Sequence, residues 1–110
     1  MRIWMRRDAH YYFGHVVNYT PQERGMLLIG VSIINHENGD KEELHCYMID
    51  TNDKKRFRSF CNNMFLYDKS GNVNFDFLIG SKVIIKSVMD KVGRYKTTFR
   101  LDTRGFQEDR

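Results

Sequence analysis

The sequence predicts a small all-β domain, a five-stranded barrel with one helix between its third and fourth strands. Three runs of alternating or apolar residues precede a helix-like stretch at 54–64, and two more runs follow it. Within that stretch Phe57, Phe60, Cys61 and Met64 recur at the i, i+3, i+4 and i+7 spacing of one helical face.

The chain fits a single domain of 110 residues, with a basic arm at 1–9 and a polar tail at 102–110. Apolar residues make up 41% of it, which is enough for a core and argues against disorder. No apolar run approaches the ~20 residues of a membrane helix. The N-terminus also lacks the apolar segment of a secretory signal. We therefore expect a cytoplasmic protein with no membrane partner.

The first strand is expected at 11–19, and simple alternation assigns five residues to one face: Tyr11, Phe13, His15, Val17 and Tyr19. Gly14 in mid-strand favours a bulge or a bend, which barrels need. Strand two, at 26–34, carries a wholly apolar face made of Leu27, Ile29, Val31 and Ile33. A turn centred on Asn38-Gly39 then leads into strand three at 43–49.

Acidic residues at 50 and 53 offer N-cap oxygens to the helix. After it, Phe75, Phe77, Leu78 and Ile79 are expected to seal the bottom of the barrel. Strand four is expected at 82–89. Strand five, at 94–101, alternates an apolar face with a basic one that carries Arg94, Lys96, Thr98 and Arg100.

The order strand–strand–strand–helix–strand–strand is that of an OB-fold. Four segments strengthen this reading: Gly-Met-Leu-Leu-Ile at 25–29, Tyr-Met-Ile-Asp at 47–50, Phe-Leu-Ile-Gly-Ser-Lys-Val at 77–83 and Gly-Arg-Tyr-Lys at 93–96. They resemble segments of the OB-fold single-stranded-DNA-binding replication-accessory proteins of bacterial phages and plasmids. The resemblance covers about residues 11–101. It implies single-stranded DNA binding in the replication, recombination or transfer of a mobile element.

Charge is unevenly distributed along the chain, whose net charge is +4. Residues 26–53 hold six acidic side chains and one lysine, whereas residues 81–101 hold six cations and one aspartate. Residues 54–58 add four more cations. Such asymmetry predicts a polyanionic partner, unless the acidic and basic segments lie side by side and cancel.

Single-strand binding needs cations for phosphates and aromatic faces on which bases stack. The candidates for stacking are Tyr11, Phe13, Tyr19 and Tyr47, and the candidates for phosphate contacts are Lys86, Arg94, Lys96 and Arg100. The alternative for the aromatic residues is a place in the core. The alternative for the cations is an ordinary solvated face.

Other chemistries have weak support. The four histidines lack metal-binding spacing, and capping explains Asp50 and Asp53 better than magnesium binding does. No GxSxG, GxxxxGK[ST] or GxGxxG motif occurs. Cys46 and Cys61 lack CxxC spacing and are expected to be free, packed thiols. The sequence therefore predicts a binding module with no cofactor and no metal rather than an enzyme.

A second function stays open, that of a small β-barrel that binds only proteins, as an adaptor or a phage-encoded inhibitor. Its signal is a set of apolar residues on strand faces turned away from the expected core, namely Leu28, Ile34 and Ile84. The same residues would suit a homo-oligomer interface or contact with a replication protein.

Overall fold

The computed structural model describes residues 9–35, 39–89 and 92–103. It contains five strands, one α-helix and two short 3₁₀ helices, at Glu23–Gly25 and Phe75–Leu78. In chain order the main elements are β1 (Ala9–Pro21), β2 (Met26–Asn35), β3 (Lys41–Asp50), α1 (Lys54–Asn63), β4 (Lys82–Met89) and β5 (Tyr95–Leu101). The five strands and the helix between β3 and β4 are confirmed.

Several expectations fall at or beyond the edges of the described residues. The predicted arm at 1–9 and tail at 102–110 lie outside them, except for Ala9, Asp102 and Thr103. Ala9 belongs to β1 and not to an arm, because it pairs with Val88 of β4. Asn38 of the predicted hairpin turn also lies outside the described residues, whereas Gly39 has the positive φ of 73° that such turns use.

All five strands form one antiparallel sheet in the order β3-β2-β1-β4-β5. The long first strand pairs with two other strands: residues 9–15 pair with β4, and residues 14–21 pair with β2. Gly14 lies in the overlap of the two ladders. A Cβ atom there would stand 2.0 Å from the carbonyl oxygen of Ser32, so the close approach of β2 requires glycine.

The bulge in β1 falls at Val17 rather than at Gly14. The register shifts between Val16 and Asn18, so Val16 opposes Val31 and Tyr19 opposes Ile29. Val16, Val31 and Ile29 are buried, which puts Tyr19 on the core side. The single face predicted for Tyr11 to Tyr19 is therefore wrong, because one extra residue reverses the alternation.

Helix α1 forms as predicted. Its N-cap residue Asp53 accepts a hydrogen bond from the amide of Arg56. Phe60, Cys61 and Met64 are buried, and Phe57 packs against the core beside them. The predicted stripe is thus the face that α1 turns inward.

The core lies between α1 and the inner face of the sheet. The apolar face predicted for β2 is fully buried, together with Val83 and Ile85 of β4. Phe99 of β5 meets Tyr47 of β3 and Phe60 of α1 edge-on, at ring-centroid distances of 5.1 and 5.6 Å. The sheet therefore curves until side chains of its end strands touch. No ladder joins β3 to β5 within the described residues, so the structure is a curved sheet and closure into a barrel is not established.

The segment after α1 fills the bottom of the sheet only in part. Leu78 is buried and Phe75 packs against the core, as predicted. Phe77 and Ile79 are exposed, so their predicted sealing role is wrong. In a 3₁₀ turn side chains three residues apart share a side, so Phe75 and Leu78 face the core while Phe77 points outward, which a count of apolar residues does not reveal.

Candidate nucleic-acid interface

The outer face of β1, β4 and β5 gathers five of the eight predicted binding residues. Residues that oppose each other across antiparallel strands project to the same side of a sheet. Three rows cross this face: Ala9–Val88–Lys96, Tyr11–Lys86–Thr98 and Phe13–Ile84–Arg100. We call this surface the basic face, defined by Tyr11, Phe13, Lys86, Lys96 and Arg100.

The basic face has a covered centre and a charged edge. Ile84 is only 4% exposed although it lies on the side of β4 away from the core, and Lys86 beside it is half-buried. Tyr11 and Phe13 are also half-buried, whereas Lys96 and Arg100 on β5 are exposed. The two β5 cations stand four residues apart, about 13 Å along an extended strand. The charge of this face is therefore presented along β5.

Arg94 does not belong to the strand that was predicted to carry it. β5 begins at Tyr95, and Arg94 precedes it in the connection from β4. Its side chain is exposed. Arg94 therefore lies beyond the end of the row formed by Lys96 and Arg100.

Tyr19 lies apart from the basic face. Its hydroxyl donates a 2.5 Å hydrogen bond to Asp76, and its ring centroid stands 5.9 Å from that of Phe75. The hydrogen bond to Asp76 raises the pKa of Tyr19, and desolvation and the negative charge of Asp76 add to the effect. Through these contacts Tyr19 links β1 to the 3₁₀ helix at Phe75–Leu78.

Tyr47 occupies the inner side of β3. Its ring meets Phe99 edge-on, and its hydroxyl lies 3.1 Å from Nδ1 of His45. Burial raises the pKa of Tyr47 to about 12, with a smaller contribution from Tyr12. His45 in turn lies 3.2 Å from Glu43 through Nε2. Tyr47 is therefore part of a packed polar and aromatic cluster. Its role in stacking, like that of Tyr19, stays a prediction.

A cleft of about 620 Å³ opens where β3, α1 and β5 meet. Met48, Ile49 and Asp50 line one side and residues 96–99 line the other, while α1 contributes Lys55, Arg56 and Ser59. The hydroxyl oxygen of Thr98 is enclosed and has no hydrogen-bond partner among the described residues. No local sequence pattern indicates this cleft, because its walls come from strands that are distant in the chain.

The two carboxylates in the cleft, Asp50 and Asp53, form hydrogen bonds or ion pairs with residues close by in the chain. Asp50 accepts a hydrogen bond from the amide of Asn52. Asp53 caps α1 and forms a 3.5 Å ion pair with Arg56. Lys55 and Lys96, by contrast, form no ion pair with any residue in the described part of the chain. Three cations and two carboxylates line the cleft, so its lining carries a net charge of +1.

The two cysteines occupy different environments. Both are free, as predicted, and Cys61 is fully buried in α1. Cys46 is exposed on β3, so the packing role predicted for it is wrong. Alternation along β3 puts Cys46 with Leu44 and Met48 on the outer side of the sheet, where nothing in the described structure packs over it.

We expect the two thiols to react at very different rates. Cys46 should react promptly with Ellman's reagent in the native protein, because its side chain is exposed. Cys61 should react only on unfolding, because burial both blocks access and raises the pKa of its thiol. Titration before and after denaturation measures this. Prompt reaction of both thiols in the native state would contradict the burial of Cys61.

No group of three or more potential metal-ligating side chains occurs within residues 9–35, 39–89 and 92–103. In the same ranges no helix is long and apolar enough to cross a membrane. No protein-family model matches the chain, and no curated protein matches it either.

Proposed function

We propose that this protein is a non-enzymatic OB-fold protein that binds single-stranded nucleic acid, most readily DNA, in the replication, recombination or transfer of a mobile element. One observation carries the proposal. Residues from β1, β4 and β5, chosen from sequence for base stacking or phosphate contact, share the basic face. Alternation accounts for the residues within each strand, and the pairing of β1 with β4 and of β4 with β5 brings the three strands' candidates to the same side.

The arrangement of the strands supports the OB assignment. In this sheet β1 sits at the centre and pairs with both β2 and β4, while β3 and β5 form the ends. An OB-fold is a five-stranded, partly open barrel, and opening such a barrel between its third and fifth strands produces this order. The approach of Tyr47 to Phe99 is what a nearly closed barrel would require.

The chemistry of the basic face suits a single strand. Lys96 and Arg100 are exposed and can follow a phosphate backbone, and Arg94 extends the positive charge toward the β4–β5 connection. Tyr11 and Phe13 are only half-buried, which leaves part of each ring for a base. Stacking on an aromatic ring contributes about 1–3 kcal/mol per base and tolerates any sequence.

Fluorescence anisotropy with labelled oligo-dT tests the proposal directly. We expect binding that weakens as salt rises, because each phosphate neutralised adds about 0.7 to the slope of log affinity against log salt. A duplex of the same length is the control, and it should bind more weakly because its bases cannot stack on the protein. No binding at low salt would refute the proposal.

A second candidate function, that of a protein-interaction module, is favoured by one surface. Leu44 is 61% exposed, Met48 50% and Ile34 41%, all on the outer side of β2 and β3. Leu28 opposes Met48 and adds to this surface, whereas Ile84 is buried and does not. If oligo-dT fails to bind, this apolar surface becomes the better guide to function.

A further inference from the structure

The cleft between β3, α1 and β5 is bounded by strand edges rather than by strand faces. Four consecutive residues of β5, Lys96 to Phe99, line it, as do three consecutive residues of β3. Successive side chains of a strand project to opposite faces, so a continuous run along one wall means that the main chain itself forms the wall. Both walls therefore present peptide groups to the cleft.

The hydrogen-bond pattern identifies which peptide groups point into the cleft from β5. The amide of Asp102 donates to the carbonyl of Lys82, so this pair is hydrogen-bonded at the end of the β4–β5 ladder. In an antiparallel ladder such pairs alternate with pairs whose N–H and C=O point to the other edge. By this alternation, Phe99 and Thr97 direct their peptide groups away from β4 and toward the cleft.

β3 follows the same alternation. The amide of Thr51 donates to the carbonyl of Gly25, which continues the β2–β3 ladder by one pair. Met48 and Asp50 therefore direct their peptide groups away from β2. The amides of Thr97, Phe99 and Met48 have no hydrogen-bond partner among the described residues. Two open edges thus line one cleft.

We propose that this cleft binds an extended, acidic peptide segment of a partner protein, which adds a strand along β5. An extended peptide is the ligand whose donors and acceptors repeat at the spacing of a strand edge. The four lining residues of β5 span about 10 Å from the first Cα atom to the last, enough for a short strand. Lys55 and Lys96 form no ion pair with a described residue, and with Arg56 they outnumber the two carboxylates of the lining, Asp50 and Asp53, so carboxylates are the matching side chains. The proposal does not require nucleic-acid binding, but Lys96 belongs to both the cleft and the basic face, so the two ligands would compete for it.

One way of pairing β5 with a second copy of this chain is unfavourable. An antiparallel pair of β5 strands centred on Thr98 would set Lys96 against Arg100 of the other copy, and like charges directly opposite are destabilising. Nucleic acid could use the cations but not the repeating peptide groups of both walls. An acidic peptide is therefore the ligand that can bind both the open peptide groups and the cations of the cleft.

The test compares Thr97→Pro with Thr97→Val. Proline removes the one amide that points from residue 97 into the cleft and leaves the ladder to β4 intact, which is the position where edge strands tolerate it. Valine removes the same hydroxyl, including its 3.5 Å contact with Ser87, but keeps the amide. Circular dichroism and thermal unfolding should show both variants folded.

A displayed library of short random peptides, panned on the native protein, supplies the probe. We expect enrichment of proline-free sequences with acidic residues at alternate positions. The best peptide, labelled with fluorescein, should bind Thr97→Val as it binds the native protein. It should bind Thr97→Pro about tenfold more weakly, because the peptide carbonyl that faced the amide of residue 97 is left without a donor.

Two further measurements test the proposal without the Thr97→Pro variant, in case that variant is unstable. The peptide methylated at alternate backbone nitrogens should lose binding to the native protein, and the unmodified peptide should slow hydrogen exchange at the amides of Thr97 and Phe99. Failure to enrich any peptide, or equal binding of the methylated peptide, would overturn the proposal. Slowed exchange with oligo-dT instead of peptide would assign the cleft to nucleic acid.

Discussion

Replacing Gly14 with alanine should lower the free energy of unfolding by about 3 kcal/mol, the upper end of the usual range for overpacking. The added Cβ would lie 2.0 Å from the carbonyl oxygen of Ser32 and 2.9 Å from the Cα atom of Ile33. Both are main-chain atoms of β2, which cannot rotate away as a side chain can. The loss is a large part of the roughly 5–15 kcal/mol that stabilises a typical domain.

Gly30→Ala is the matched control, because Gly30 lies on the neighbouring strand β2. There the added Cβ meets the side chain of Asn18 at 2.5 Å, and that side chain is exposed and can move. We expect Gly30→Ala to change stability by less than about 1 kcal/mol. Urea unfolding followed by circular dichroism measures both variants. Equal stability of the two variants would contradict the close approach of β1 and β2.

Neutralising Arg94, Lys96 and Arg100 together, each to glutamine, should have the largest effect on nucleic-acid binding. Each phosphate that the protein no longer neutralises takes about 0.7 from the salt slope, so the slope of the triple variant should be flatter by about 2. Over a fourfold rise in salt, the native protein should then lose about 20-fold more affinity than the variant does. Anisotropy titrations with oligo-dT at several salt concentrations measure this difference.

A control variant removes the same charge from elsewhere. Lys54 and Arg58 of α1 and Lys69 in the following segment are exposed and lie outside both the basic face and the cleft. Their replacement by glutamine changes the net charge equally and should leave the salt slope within about 0.5 of the native value. If both triple variants flatten the slope alike, the protein attracts nucleic acid through its overall charge and the basic face has no special role.

The sequence was sufficient to predict those elements whose apolar pattern is regular. β2 and α1 each bury a face with the expected period, and β5 begins one residue later than expected. The faces of β1 could not be predicted because the bulge at Val17 reverses its alternation, and no residue type marks a bulge of this kind. Gly14 is conspicuous in the sequence. The reason for glycine at this position is the close approach of Ser32, which the sequence of β1 alone cannot indicate because Ser32 belongs to the neighbouring strand.

The candidate site was predictable where it follows a single strand and not where it depends on distant neighbours. Lys96 and Arg100 could be placed on one side of β5 by alternation alone. Tyr19 and Tyr47 could not be told apart from exposed aromatics, because Asp76 and Phe99, which engage them, lie 57 and 52 residues further along the chain. The cleft depends on the curvature of the whole sheet, which has no local signature.

The double pairing of β1 also has a bearing on the order in which the chain can fold. One half of β1 finds its partner in the next strand along the chain, but the other half pairs with β4, near the opposite end. During synthesis, residues 9–15 therefore have no strand to pair with until residues 82–88 have left the ribosome. Such distant pairing slows folding and leaves an open edge in the meantime. The nascent chain is thus most exposed to aggregation after α1 has formed and before β4 arrives.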